Sequence, residues 1–184
     1  MQPIKTYCHF TAALSYENVH RIYHDTQYGF PIASDDELFG RLILEINQAG
    51  LSWNTILLKQ ENFRRAYHDF SLTKVSKYKE KDIERLLGDA GIIRNKLKIH
   101  AAIHNAIVIS QLQSEYGSFK KWLDHYHPLS KDEWTKIFKT TFRFTGGEIV
   151  NEFLMSSGYL PGAHHEDCDI YIKVLKYKPA WAKK

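Results

Sequence analysis

At 184 residues, 43% hydrophobic and 25% charged, the chain suits one soluble globular domain, or two lobes sharing an interface, around a real core. A net charge of +4 permits nucleic-acid binding without demanding it, and an aromatic content of 14% suits either an aromatic-lined site or aromatic packing. Two cysteines far apart exclude a disulfide framework; with no apolar signal core in MQPIKTYCHF and no run of membrane-spanning length, the expected setting is the cytoplasm.

Period-2 alternation is scarce and apolar residues recur at three and four, so an all-helical fold is expected. Residues 1–15 read as irregular. Ser15 is then expected to cap a helix over 16–25, with Tyr16, His20 and Tyr23 along one face, broken at Tyr28-Gly29-Phe30-Pro31. Ser34-Asp35-Asp36-Glu37 reads as a capping box, Ser34 accepting a first-turn amide and Glu37 reaching back, opening a helix over 35–48. A second helix runs over 52–67 from its cap at Ser52. After a turn at 69–72, helical patterns fall near 73–78 and 81–88, and Gly88-Asp89-Ala90-Gly91 makes a tight connection to a long helix over 94–116, ended by Gly117. Ser118 can cap a short helix closing before Pro128. Ser130-Lys131-Asp132-Glu133 repeats the capping-box pattern, with Trp134, Ile137 and Phe138 facing inward. A helix after Gly146-Gly147 stops at Gly158, and the tail from Tyr159 reads as loop. With no internal repeat or linker, residues 1–184 read as one domain.

The chain is organised around Glu45-Ile46-Asn47-Gln48-Ala49-Gly50-Leu51-Ser52-Trp53. Leu38, Leu42 and Glu45 share a helix face, Gly50 can take the left-handed conformation that ends the helix, and Ser52 can cap the next, whose first turn holds Trp53. A carboxylate and an indole then stand on either side of one tight turn, as a small pocket for a planar, electron-poor ligand requires. On spacing alone, Glu45 also suits a solvated pair with Arg41, and Trp53 and Leu51 suit the core. Downstream, Asp82 to Ile93 has the shape of the first helix and loop of a helix-hairpin-helix unit. Gly91 would free backbone amides for a phosphate, and Arg94, Lys96 and Lys98 cluster at the next helix N-terminus. An ordinary helical connection with solvated lysines fits the same residues.

The string EINQAGLSW, with YHDTQYGFP before it and DAGIIRNKLKI after it, resembles the DNA 3-methyladenine glycosylase I family, a branch of the helix-hairpin-helix DNA glycosylases. The resemblance covers most of the chain and is densest over 16–110. It implies a helical fold of two lobes sharing one cleft and excision of 3-methyladenine from alkylated double-stranded DNA by base flipping. N3-methylated adenine is cationic and already a good leaving group, so selective binding of a charged ring matters more than protonating it. The implied site places Glu45 as the catalytic carboxylate, Trp53, Tyr23, Phe10 and Tyr28 against the base, and Leu51 as the wedge in the duplex. Gly91, Arg94 and Lys96 become the phosphate contacts. Many relatives in the wider superfamily carry an Asp after a Gly-Pro pair; the corresponding stretch here, Gly146-Gly147-Glu148, lacks that motif. No lysine stands out as a Schiff-base nucleophile either, so the resemblance implies a monofunctional enzyme that leaves an abasic site.

Cys8, His24, His164 and Cys168 form a donor set suited to a closed tetrahedral zinc site, with His165 a competing ligand and two unrelated cysteines the alternative. The resemblance implies that these four bind a structural zinc and tie the termini together. Departures fall at His20, Tyr28 and Phe10, and after Gly147 at Glu148, Asn151, Glu152 and Met155, where the family tends toward small, hydroxyl or Gln residues. They bear on substrate range and catalytic strength more than on fold. The expected protein is a monomeric glycosylase. A damaged-DNA binding module with little activity, or a glycosylase for another alkylated base, remains the alternative.

Overall fold

Eleven α-helices and one 3-10 turn make up the regular structure of residues 6–183, the part of the chain described by this computed structural model. In order they are α1 (Tyr7–Ala12), α2 (Val19–Thr26), α3 (Asp35–Gln48), α4 (Trp53–Ala66), α5 (Leu72–Val75), α6 (Glu80–Gly88), α7 (Lys96–Tyr116), α8 (Phe119–Tyr126), α9 (Lys131–Thr141), α10 (Gly147–Ser156) and α11 (Asp169–Lys176), with the 3-10 turn at Ala180–Ala182. The all-helical expectation holds among the described residues.

The serine caps act where local chemistry places them. Ser34, Ser52, Ser118 and Ser130 each accept the backbone N–H three residues on, and Glu133 completes the box at Ser130. Glu37 does not return to Ser34. Its two oxygens instead accept from Arg64 of α4 at 2.8 Å each, a fork-to-fork pair that outcompetes a single amide and ties α3 to α4. Three elements differ from the sequence reading. Thr6 caps a short α1 inside the stretch expected to be irregular, of which residues 1–5 lie outside the described residues. Asn18, not Ser15, caps α2. The tail forms α11 and the 3-10 turn instead of loop.

The chain divides into two compact units. A central unit spans Ile32–Phe153, and a terminal unit combines Met1–Pro31 with Leu154–Lys184, the boundary falling inside α10. In the central unit α3 packs against α4, α5, α7 and α8 and is buried along nearly its whole length. Asp35, at its first position, accepts the backbone N–H groups of Phe119 and Lys120 at 2.8 and 3.0 Å, so one carboxylate satisfies the start of α8. Phe119, Trp122, Trp134, Phe138, Phe142 and Phe153 interlock in this unit, with ring centroids such as Phe138–Phe142 at 5.2 Å and Trp122–Phe138 at 5.7 Å. Much of the aromatic surplus is therefore core.

Candidate functional site

The turn between α3 and α4 is built by its backbone. Ala49 (φ −51, ψ 116) and Gly50 (φ +82) trace a type II turn, closed by the Leu51 N–H donating to the Gln48 carbonyl at 2.7 Å. The Gln48 amide donates back to the Leu51 carbonyl at 3.1 Å. Type II geometry requires a left-handed residue at its third position, which explains the glycine. Lys98, in the first turn of α7, is buried and donates through Nζ to the carbonyls of Asn47 (3.0 Å) and Ala49 (2.7 Å). A cation thus closes the negative end of α3 and fixes the turn from below. Leu51 stands at the tip, 38% exposed, and is not a core leucine. Trp53, on the other side, is half-buried.

Glu45 lies one helical turn before this bend and is only 4% exposed. Arg41, its neighbour at i−4, is also buried, so the two do not form a solvated surface pair. Burial pushes the Glu45 carboxyl up to about 8; Arg41 opposes the rise and the charge of Glu152 adds to it. Burial of this kind favours the neutral carboxyl, and a cation beside it would favour the charged form. A perturbed carboxyl next to a rigid turn is a candidate for chemistry.

The hairpin joins α6 to α7. Its loop is pinned to α4: Lys59 Nζ donates to the carbonyls of Ala90 (3.0 Å) and Gly91 (3.1 Å), and Asn62 donates to Gly91 at 3.3 Å. The Gly91 N–H donates to Asp89 Oδ1 at 2.7 Å. Contrary to expectation, that amide is engaged inside the loop instead of facing outward. Lys98 leaves the expected basic cluster as well, since it is turned into the α3–α4 bend. Arg94 and Lys96 remain exposed at the start of α7, which Asn95 caps.

In the terminal unit the donor atoms of Cys8, His24, His164 and Cys168 all lie within 4.8 Å of one another. His164 Nδ1 and His24 Nε2 are 3.1 Å apart, Cys8 Sγ is 3.9 Å from His164 Nδ1, and Cys168 Sγ is 3.7 Å from His24 Nε2. The outer ring nitrogens are occupied. His24 Nδ1 donates to Asp25 Oδ1 at 2.6 Å, and His164 Nε2 donates to the Tyr28 carbonyl at 2.7 Å. In neutral rings this leaves two lone pairs facing each other, an arrangement that a shared cation relieves. Burial, with His24 nearby, holds the His164 imidazole down at about 4, and burial raises the Cys8 thiol. The four residues could hold a metal ion. His165, the competing ligand, is exposed and faces Asp167, its Nδ1 2.6 Å from Oδ1. Gly29 (φ +79) makes room for the cluster, since a Cβ there would lie 2.8 Å from the Ala163 Cβ and 3.1 Å from the His164 ring.

The remaining aromatic candidates also belong to the terminal unit. Tyr23 and Tyr28 are buried with ring centroids 5.5 Å apart, while Phe10 is exposed and stacks on Tyr7 at 6.2 Å. Sequence reasoning missed Asp25, the Tyr28 carbonyl and the inward Lys98. Asp25 had a signal, since it directly follows His24 in the YHD string.

The family model for methyladenine glycosylase matches residues 13–140. The chain is 33% identical to DNA-3-methyladenine glycosylase 1 of Escherichia coli (strain K12) over 177 residues, covering 86% of this chain and 94% of that protein. Among solved structures, a point variant of 3-methyladenine DNA glycosylase I in complex with 3-methyladenine superposes with a TM-score of 0.78 at 30% identity, covering 85% of this chain and 94% of that one. The Staphylococcus aureus 3-methyladenine DNA glycosylase I, solved for its recognition of 3-methyladenine, gives a TM-score of 0.77 at 31% identity, with 85% and 93% covered.

Proposed function

The chain belongs to the methyladenine glycosylase family, and from that premise we propose that it hydrolyses the N-glycosidic bond of 3-methyladenine in double-stranded alkylated DNA, acting as a monomer and leaving an abasic site in an uncut strand. The observation that carries the reading is the fully buried Glu45 carboxyl, raised to about 8, one helical turn from a rigid bend bearing Leu51 and Trp53. A neutral base gains little from such a group. A cationic one draws its proton away and binds the carboxylate, so charge itself selects the lesion.

In the bond-breaking step the C1′–N bond electrons leave with the base, which departs neutral, and water adds to the sugar carbon and loses a proton. Glu45, as a carboxylate, stabilises positive charge on the base and then on the sugar. Leu51 occupies the gap in the duplex and Trp53 contributes an aromatic face. Tyr23, Tyr28 and Phe10 are assigned base contacts from the family pattern. Arg94 and Lys96 meet phosphates beside the α7 N-terminus, while Gly91 shapes the loop that positions them.

The Cys8–His24–His164–Cys168 cluster is assigned to a structural zinc. Tetrahedral zinc with Zn–S near 2.3 Å and Zn–N near 2.0 Å needs donor separations of roughly 3.3 to 3.8 Å. Three of the six donor separations, at 3.1, 3.7 and 3.9 Å, are close to that set, and all six are within 4.8 Å. Four protein donors leave no water position, so the ion would hold the fold and take no part in the reaction.

The test is incubation with methylated duplex DNA, chromatography of freed bases and electrophoresis of the strands. Release of 3-methyladenine from uncut strands supports the reading. Binding without release would point to a damaged-DNA binding module, and release of another alkylated base alone would move the substrate.

A further inference from the structure

Phe144 sits in the loop between α9 and α10 with φ +62, in the left-handed region that an aromatic L residue occupies only at an energetic cost. Both neighbours are anchored. Asn105, fully buried in α7, accepts the Arg143 N–H at 2.8 Å and donates to the Arg143 carbonyl at 3.1 Å. On the other side the buried Thr145 hydroxyl donates to the carbonyls of Phe138 (3.0 Å) and Phe142 (3.3 Å). Phe144 itself is 40% exposed, unlike Phe70, which shares the left-handed backbone (φ +58) but is buried.

Its position gives that exposure a use. Lys98 Nζ lies 5.7 Å from the centre of the Phe144 ring and 2.7 Å from the carbonyl of Ala49, in the turn that presents Leu51. One ammonium group therefore touches both the exposed aromatic and the wedge-bearing turn. Beside the ring runs an open groove lined by Lys139, Phe142, Thr145, Gly146 and Ile149, whose charge is the positive Lys139. An apolar floor with a cation at its edge suits a nucleic-acid strand, bases on the floor and phosphate at the rim.

We propose that Phe144 is a second duplex-contacting residue, packing against bases that flank the lesion once it has turned out of the stack, and so favouring an opened duplex over an intact one. The proposal rests on the glycosylase reading and deepens it.

The test measures anisotropy affinities for two duplexes of one sequence, one intact and one carrying a tetrahydrofuran abasic analogue. Phe144→Ala should weaken binding to the abasic duplex by about 10-fold or more while intact duplex changes within about 2-fold. Phe144→Trp should restore the preference. Phe144→Gly should show the same loss yet melt no lower than wild type, because it releases the strained backbone. Ala and Gly variants that keep the wild-type preference, or that lose both duplexes equally, overturn the role while base release by wild type leaves the glycosylase reading standing. A wild type that frees no base and prefers neither duplex overturns both.

Discussion

Lys98 Nζ lies 2.7 Å from the Ala49 carbonyl, so a lysine from the hairpin helix holds the turn next to Glu45. The hairpin and the bend are thereby mechanically linked inside the central unit. Replacing Lys98 by Met strands the buried Asn47 carbonyl and the part-buried Ala49 carbonyl and removes the charge that closes α3. Chemical denaturation should report a loss of about 2–4 kcal/mol, and base release should fall with it. Lys98→Arg should recover part of the stability, since a planar fork cannot reproduce a point contact to two carbonyls. Unchanged stability in Lys98→Met would remove the lysine from this role.

Glu45 gives a pH dependence of known sign. Its folded carboxyl titrates at about 8, above the ordinary value of 4.5, so the unfolded chain loses this proton first. Its contribution to stability is complete below about 4.5, declines as pH rises toward 8, and levels off beyond. Glu45→Gln should flatten that decline in denaturation midpoints. If the carboxylate is the working form, kcat/KM should rise with pH toward a midpoint near 8, and Glu152→Gln should shift the midpoint to lower pH by removing a neighbouring negative charge. A midpoint unmoved by Glu152→Gln would separate the two carboxylates.

Much of this was legible before the structure, for local reasons. The bend from Glu45 to Trp53 depends on Ser52 and on Gly50 at φ +82, and both act through neighbours in sequence. The four donors were legible as residue types in order. What escaped were choices made by tertiary packing. Nothing in the run from Arg94 to Lys98 distinguishes Lys98, which turns inward, from Arg94 and Lys96, which face solvent. Glu37 looked like a box residue because Arg64, its actual partner, lies 27 positions away. The last helix was obscured by lysines interspersed among its apolar residues.

The metal assignment predicts about one zinc per purified chain and a fall in melting temperature on chelation. Asp25→Asn should weaken zinc affinity about 10- to 100-fold by releasing the ring that ligates through Nε2. Gly29→Ala should do similar damage by a different route, driving a methyl group into Ala163 and the His164 ring. Metal analysis and calorimetry check both, and a metal-free wild type that melts unchanged on chelation would contradict the assignment.

Arg94 and Lys96 are predicted to act on DNA through charge. Lys96→Glu should weaken binding alike on all sequences and lower the slope of log K against log salt by about one, without changing the melting temperature. An unchanged slope would take Lys96 off the phosphate path.

The most direct test compares wild type with Glu45→Gln in single-turnover release of 3-methyladenine, alongside affinity for duplex carrying an abasic analogue. Loss of release by about 100-fold or more with affinity kept within a few-fold is the predicted result. Release at the wild-type rate by the Gln variant would contradict the central claim that a buried carboxylate captures and frees the charged base.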